Sequence, residues 1–550
     1  MDSLSRPGAD SVGAYEAAAA RPKTVVALSV LALALALLVG ILLRNGGHFS
    51  YTLDAPYTQM AMAGQIAQGT YGINPGEPSS PSSSIIYPFL LALLSFLPLG
   101  QFSALLVCLA ATLAAAVLIY AVAEEIGLEV DRLTTLQLAA ITATLTLAFN
   151  LVGLAFAGLE HSLHVTLTVI SLLGLLRFVR TRQADWWWLA AITLLPLLRF
   201  EAAAALAADM LVLVAFGKWR HAAIIGAVGV VLVGGFMLFL HSLGLPWLPS
   251  SVLHRSEVAS TGIGMGDSGA LGFAKAVYGA YRGNLMAYGG THIALLIVLG
   301  LWGLARGPVP SRFGERAWAK PAAVGFFIVV ALAQLTGGSL SSFSRYEIYV
   351  LALGFCAVLV AWQPEINAGL RRLDARRCAG FCLGVLFLFS GYVFRTVDAV
   401  AAAGNVHDQQ YQMHRFVNDH WRRPFAANHL GYVNYQVPYY MLDLSGLANE
   451  EARKGGSGPG WMERLTAQHD VGLAMLYDVA PPVPPAGWQP IAQLKLRGRL
   501  VTVRGPVVTF YATRPEEAEP IRAALRAMAP DLPPGAILDW GMSGKAQVVH

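Results

Sequence analysis

The sequence predicts a polytopic α-helical membrane protein, with about eleven membrane helices and one re-entrant or interfacial helix, followed by a C-terminal extracytoplasmic α/β domain. Three observations predict it. Of 550 residues, 55% are hydrophobic and only 13% charged, too little polar surface for a soluble globule. The apolar residues gather in long runs, beginning with "TVVALSVLALALALLVGILL". After Arg395 such runs stop and the composition turns to Pro, Asn, His and charge.

Residues 1–23 read as a disordered cytoplasmic tail and 24–396 as the membrane domain. The run 24–43 has basic flanks and no small-residue cleavage site, so it is an uncleaved helix rather than a signal peptide. In the first outer loop, 44–84, "APYTQMAMAGQIAQG" places Tyr57, Met60, Ala61 and Gly64 at helical spacing, and Gly69 and the turn "NPGE" end that helix. Further spans are expected at 103–123, 134–150, 161–177, 185–198, 202–217, 222–241, 291–305, 321–336, 346–362 and 379–396.

The basic loops "RFVRTRQ", "GKWRH", "RGPVPSRFGERAWAK" and "RRLDARR" alternate with loops poor in Lys and Arg, which puts these four in the cytoplasm and the tail outside. Parity then forbids "SIIYPFLLALLSFLPLG" (84–100) from crossing, and its Pro88 and Pro98 agree with a re-entrant or interfacial helix. The acidic "EEIGLEVDR" (124–132) falls on the cytoplasmic side against the trend, but acids weigh little in the rule. The net charge of +5 lies mostly in short loops, which is a topology signal and not a nucleic-acid surface. None of the four cysteines lies in the tail, so no disulfide framework or Cys-rich zinc site is expected there. The tail, 397–550, mixes expected strands in "RPFAANHLGYVNY", "VGLAMLY" and "QLKLRGRLVTV" with a helix near "RPEEAEPIRAALRAMA".

This topology gathers separated charged residues at the outer face. Asp54 follows the first span, Glu160 opens a helix in "FAGLEHSLH", and Arg199 and Glu201 share the tight turn "LLRFEAA". His254 and Arg255 lie in "LPSSVLHRSEV", and Arg345 and Tyr346 in "GGSLSSFSRYEIY". Ionisable groups at that depth are costly and tend to be paired or functional. Each also has a plainer reading: an acid at a helix start caps it, a boundary arginine snorkels to head groups, and a loop histidine needs no ligand.

The stretch "DAPYTQMAMAGQIAQGTYGINPGEPSSPSSSIIYPFLLAL" resembles the first outer loop of the GT-C membrane glycosyltransferases, especially the bacterial arabinofuranosyltransferase-like branch. The similarity continues at "GLE" (158–160), "RFE" (199–201), "LPSSVLHR" (248–255), "SRY" (344–346) and "DLSGL" (443–447). Where many members have two adjacent acids this chain has Leu53 and Asp54, and where they often have Arg-Pro-Glu-Gly it has "RFEA". The resemblance implies a GT-C fold in the cytoplasmic (inner) membrane with its active site outside. It implies a polyprenyl-phosphate sugar donor, arabinofuranose as the first guess, and a glycan, glycolipid or protein acceptor. A divalent cation is optional in this scheme, and no metal ligands are identified.

Sugar transfer from such a donor needs a base for the acceptor hydroxyl and cations for the departing phosphate. Asp54 is the expected base, and Glu160 is expected to orient the acceptor or help bind a cation. Arg345 and Arg255, with His254 as a third donor, are expected on the phosphate, since a guanidinium binds its oxygens bidentately. Arg199 and Glu201 would pair and stiffen the outer turn, with Tyr57 and Tyr346 as further support. Asp443 in "DLSGL" either lines the route to the site or caps a turn. The main rival, a lipid-linked sugar transporter or flippase, would show inverted repeats or paired broken helices.

Overall fold

Helices occupy every segment expected to cross, but not all at membrane length. The computed structural model describes residues 9–255, 269–306, 318–340, 343–455, 458–479 and 482–541. Among these, six helices are long and apolar enough to span: Arg21–Arg44, Gly100–Glu125, His161–Thr181, Trp219–Ser242, Tyr288–Ala305 and Ala319–Gly337. Two more candidates are bent pairs, Ile348–Ala361 with Gln363–Leu370 (80°) and Ala375–Leu388 with Ser390–Trp421 (76°). The segments expected at 134–150, 185–198 and 202–217 form the shorter helices Thr135–Ala148, Trp186–Leu198 and Ala203–Ala215. At 1.5 Å per residue these reach only about 20 Å, short of a bilayer core of about 30 Å. The chain is a multi-pass helical membrane protein with a C-terminal α/β domain.

Three expectations change. The first helix starts at Ala9, where a disordered tail was expected; the alanines of "AYEAAAA" favour the helix. The span expected at 379–396 breaks at Phe389, and its second part runs on as a helix to Trp421. Between the spans expected at 222–241 and 291–305, where no helix was expected, Gly269–Met286 is a helix, anchored where Asn284 Nδ2 donates to the carbonyls of Leu335 (3.0 Å) and Gly338 (2.8 Å). By contrast, 84–100 yields only the eight-residue helix Tyr87–Leu94. It is tied to the end of a neighbour by Ile85 and Ile86 N–H bonds to the Leu197 carbonyl.

The helix ends sort into two groups. At one end, Lys23 pairs with Glu124 (3.0 Å), Arg177 (3.2 Å) and Arg180 (2.7 Å) with Glu125, and Arg371 with Glu129. The Arg182 guanidinium lies over Phe216, whose ring meets Trp318, so the described parts of the basic loops lie at this end. The acids of "EEIGLEVDR" sit among basic loops because they neutralise them. The opposite end carries the first outer loop, the turn at Arg199 and the soluble domain.

That domain is a six-stranded sheet, ordered β2-β1-β3-β5-β4-β6. The strands are β1 (Phe425–Ala427), β2 (Met441–Asp443), β3 (Leu473–Tyr477), β4 (Gln489–Leu496), β5 (Val507–Ala512) and β6 (Ala536–Asp539). β1 runs parallel to β2 and β3, and the other pairs are antiparallel. "RPFAANHLGYVNY" is strand only at β1, then turns away at Gly431. The helix Ala518–Met528 covers one face with Ile521, Leu525 and Met528.

If the basic end is cytoplasmic, the sheet domain is outside. Alkaline phosphatase fused after His550 is then expected to be active in intact cells and β-galactosidase at the same point inactive; the reverse pattern would overturn the assignment.

Candidate active site

A cavity of about 70 Å³ lies where the first outer loop, three helix starts and the soluble domain meet, lined by Asp54, Glu160, His161, Arg199, Arg345 and His429 among others. Local sequence explains how the first two acids come together. Gly158 of "GLE" has φ +66°, and a Cβ there would stand 2.6 Å from the Tyr51 ring and 2.9 Å from Pro56 Cβ. Only glycine lets the chain before Glu160 press against the loop that carries Asp54.

Both acids occupy N-cap positions and neither caps. Asp54 precedes the helix Ala55–Ala67, but its side chain makes no capping bond; its Oδ2 instead accepts from Nε2 of His429 and from Nε2 of Gln410 (3.0 Å). Burial works against its charge, yet the His429 side chain, the Gln410 hydrogen bond and the nearby Arg345 charge prevail and hold the carboxyl below its ordinary range. Glu160, 2% exposed, accepts at Oε1 from Arg199 Nη1 (3.1 Å).

Arg199 is the hub of the outer turn. It also donates to Glu201 Oε1 from Nη2 (2.6 Å) and Nε (2.9 Å), and to Ser83 Oγ (2.9 Å). Its guanidinium lies 5.1 Å from the centre of the Tyr346 ring, and that ring meets His161 edge-on. The expected Arg199–Glu201 pair is therefore present, and Arg199 holds Glu160 as well.

Arg345 is different. Only 5% exposed, it donates from Nη2 to the Tyr346 hydroxyl (2.8 Å), its Nε has no hydrogen-bond partner, and it forms no ion pair with any described residue. A buried guanidinium without a carboxylate, lining a cavity, is a place for an anion.

The remaining expectations fall in varied places. Tyr57 does not line the cavity: its ring packs 3.8 Å from that of Tyr432, in the seam between outer loop and soluble domain. Tyr346 joins both arginines as support. His254 and Arg255 end the helix Ser250–Arg255, but their side chains lie outside the described residues. Asp443 caps a turn, accepting from Ser445 N (2.9 Å) and Ala448 N (2.7 Å). The "NPGE" turn grips the soluble domain: Asn74 exchanges bonds with the Met441 backbone (2.9 and 3.1 Å), and Glu77 accepts from Asn449 (2.6 Å). Sequence reasoning missed His429, Gln410 and His161. The first two sit in a segment whose apolar neighbours mark only strand and helix, and His161 adjoins a residue that was found.

The residues present do not fit a divalent cation. Among the described residues no group of three or more His, Cys, Asp or Glu side chains is placed to hold a metal ion, and Glu160 is already bonded to Arg199.

Residues 403–511 match a family model described as "Domain of unknown function (DUF8728)". No curated protein matches the sequence. Among solved structures, the chain is similar to the archaeal oligosaccharyltransferase AglB from Archaeoglobus fulgidus, in complex with an inhibitory peptide and a dolichol-phosphate. The identity is 10% over 83% of this chain and 69% of that one, with a TM-score of 0.48. It is also similar to ArnT from Cupriavidus metallidurans bound to undecaprenyl phosphate, at 14% identity over 89% and 98% of the two chains, with a TM-score of 0.46. No residue's role is carried across from either.

Arg199→Gln would leave the buried Glu160 and the half-buried Glu201 without their cation, a loss of about 3–5 kcal/mol. A lower unfolding midpoint in detergent is expected, partly restored by adding Glu160→Gln. A midpoint equal to the parent's would mean that the pairing carries no weight.

Proposed function

We propose that the protein is a GT-C-type inverting glycosyltransferase that moves a sugar from a polyprenyl-phosphate donor to an acceptor hydroxyl on the extracytoplasmic side of the inner membrane. The observation that carries this reading is Arg345: a buried guanidinium that forms no ion pair with any described residue, lining the same cavity as the Asp54 carboxylate. That pair supplies what the reaction needs, a cation for the leaving phosphate and a base for the attacking hydroxyl. The sequence resemblance to the GT-C enzymes agrees with it.

In this mechanism the acceptor oxygen attacks the anomeric carbon while its proton passes to Asp54. The bond from that carbon to the phosphate oxygen breaks, and its electron pair leaves with the lipid phosphate. Attack and departure on opposite faces invert the centre. Arg345 balances the charge developing on the phosphate, with Arg255 and His254 as further donors. Glu160, held by Arg199, orients the acceptor. A cavity of about 70 Å³ holds a few waters rather than a sugar, so the side chains around it part when donor binds. Arabinofuranose is the first sugar to test, and a glycan, glycolipid or protein the acceptor class.

Membranes containing the protein, supplied with a panel of radiolabelled undecaprenyl- and decaprenyl-phosphate sugars, are expected to move label from one donor into glycan, glycolipid or protein. No transfer from any of them would reject the reading. Asp54→Asn should lower the rate about a hundredfold or more while undecaprenyl phosphate still binds, the usual scale of general-base catalysis. Arg345→Lys keeps the charge but loses the fork, so donor affinity should fall about tenfold or more; equal affinity would move the phosphate role elsewhere.

The pH dependence follows from Asp54. The ionised form is the active one, and its pKa is lowered, so the rate should hold through mildly acidic pH and fall only below the ordinary carboxylate range near about 3.9. An acid limb at pH 5 or above would contradict this.

A further inference from the structure

We infer that the soluble domain supplies a positioning residue for the base: His429, backed by Gln410, anchors one oxygen of Asp54 and thereby presents the other to the acceptor hydroxyl. The inference rests on the reading of Asp54 as base and adds the soluble domain to the reacting centre.

Both donors reach the same atom. Nε2 of His429 and Nε2 of Gln410 (3.0 Å) donate to Oδ2 of Asp54, and no described residue donates to Oδ1. The two donors are themselves fixed. Gln410 Oε1 accepts from the Tyr432 N–H (3.0 Å), and Tyr477, whose hydroxyl donates to Gln409 (2.9 Å), sets its ring edge-on to His429 at 5.4 Å. A carboxylate with one oxygen anchored twice cannot turn about its own axis, so Oδ1 keeps one direction. That is the geometry a base needs when a hydroxyl proton must be taken as the oxygen attacks.

The loop that delivers His429 is shaped for this contact. At Gly431, φ is +154°, and a Cβ there would lie 2.6 Å from Asp54 Cβ and 2.3 Å from Gln410 Oε1. No other residue allows so close an approach. The contact joins positions 375 residues apart, and separate clasps hold it: Arg44 with Asp408 (2.7 Å), Asn74 with Met441 and Glu77 with Asn449. The charged and titratable groups that face Asp54 come from several elements: His429 from the loop after β1, Tyr477 from β3 and Arg345 from the turn before Ile348–Ala361. Glu160, His161 and Arg199 line the rest of the cavity. Of these, His429 and Arg345 favour the charged form of Asp54, and only His429 also bonds to it. During transfer, the proton moves from the acceptor oxygen to Oδ1 while the Nε2–H of His429 stays on Oδ2.

The test uses the full-length purified protein, the sugar that the donor panel shows to be transferred, and undecaprenyl phosphate as the binding probe. His429→Ala should lower kcat about tenfold to a hundredfold, leave undecaprenyl phosphate affinity within about twofold, and move the acid limb of kcat to higher pH. His429→Gln keeps an N–H donor at this position; it should recover most of kcat at pH 7. Gly431→Ala, which pushes the loop away, should behave like His429→Ala. If His429→Ala keeps the parental kcat and acid limb while Asp54→Asn is inactive, the positioning role is rejected and the base survives. If Asp54→Asn transfers at the parental rate, the base reading itself fails. A folded His429→Ala that no longer binds undecaprenyl phosphate makes His429 part of the phosphate site and also overturns the inference. Should His429→Ala not fold, Gly431→Ala decides: a parental kcat and acid limb there reject the role.

Discussion

Arg199 donates to Glu160, Glu201 and Ser83 at once, and the end of the helical domain that meets the sheet domain is arranged around that one cation. The buried charges of Arg199 and Glu160 are tolerable only because they pair, with the half-buried Glu201 as a second partner. The pairing ties the starts of His161–Thr181 and Ala203–Ala215 to the serine-rich end of the first outer loop. It also decides what is left over. With Glu160 and Glu201 committed to Arg199, among the described residues no carboxylate pairs with Arg345 and no arginine bonds to Asp54. One guanidinium and one carboxylate outside that cluster line the same cavity.

The opposite end of the bundle solves a simpler problem. There Glu124, Glu125 and Glu129 face Lys23, Arg177, Arg180 and Arg371, several of them well exposed. Such pairs contribute little to stability. Their effect is to offset a dense positive charge without altering the Lys and Arg bias that sets orientation. The two ends thus use the same residue types in different dielectric surroundings, one as a solvated boundary and the other as a buried site.

The soluble domain is more than an appendage to this scaffold. The first outer loop meets it through the Asn74 and Glu77 clasp, the Tyr57–Tyr432 stack and the bonds to Asp54. Helix Ser390–Trp421 carries the chain from the last bent segment into the sheet without a flexible joint. That continuity explains how a loop distant in sequence can be held against Asp54 with little freedom. The "NPGE" turn, which in sequence looks like a helix stop, is one of the pieces that hold it there.

By itself the sequence determined what depends on local composition. Long apolar runs and basic loops marked the helical segments and showed that 84–100 differs from the longer runs, because hydrophobic burial and charge bias are written residue by residue. Asp54, Glu160, Arg199, Glu201 and Arg345 were legible as candidates because charge is conspicuous at a membrane boundary. Their roles were not, since a cap, a snorkelling cation and a catalytic group share one residue type. Only the tertiary structure decided that Asp54 and Glu160 do not cap, that Arg199 serves two acids, that Arg345 keeps none, and that Tyr57 packs away from the cavity. His429 and Gln410 were hidden for the same reason. Their meaning lies in a contact across more than 350 residues, and such a contact is fixed by how the helices and the sheet pack, which no local pattern records.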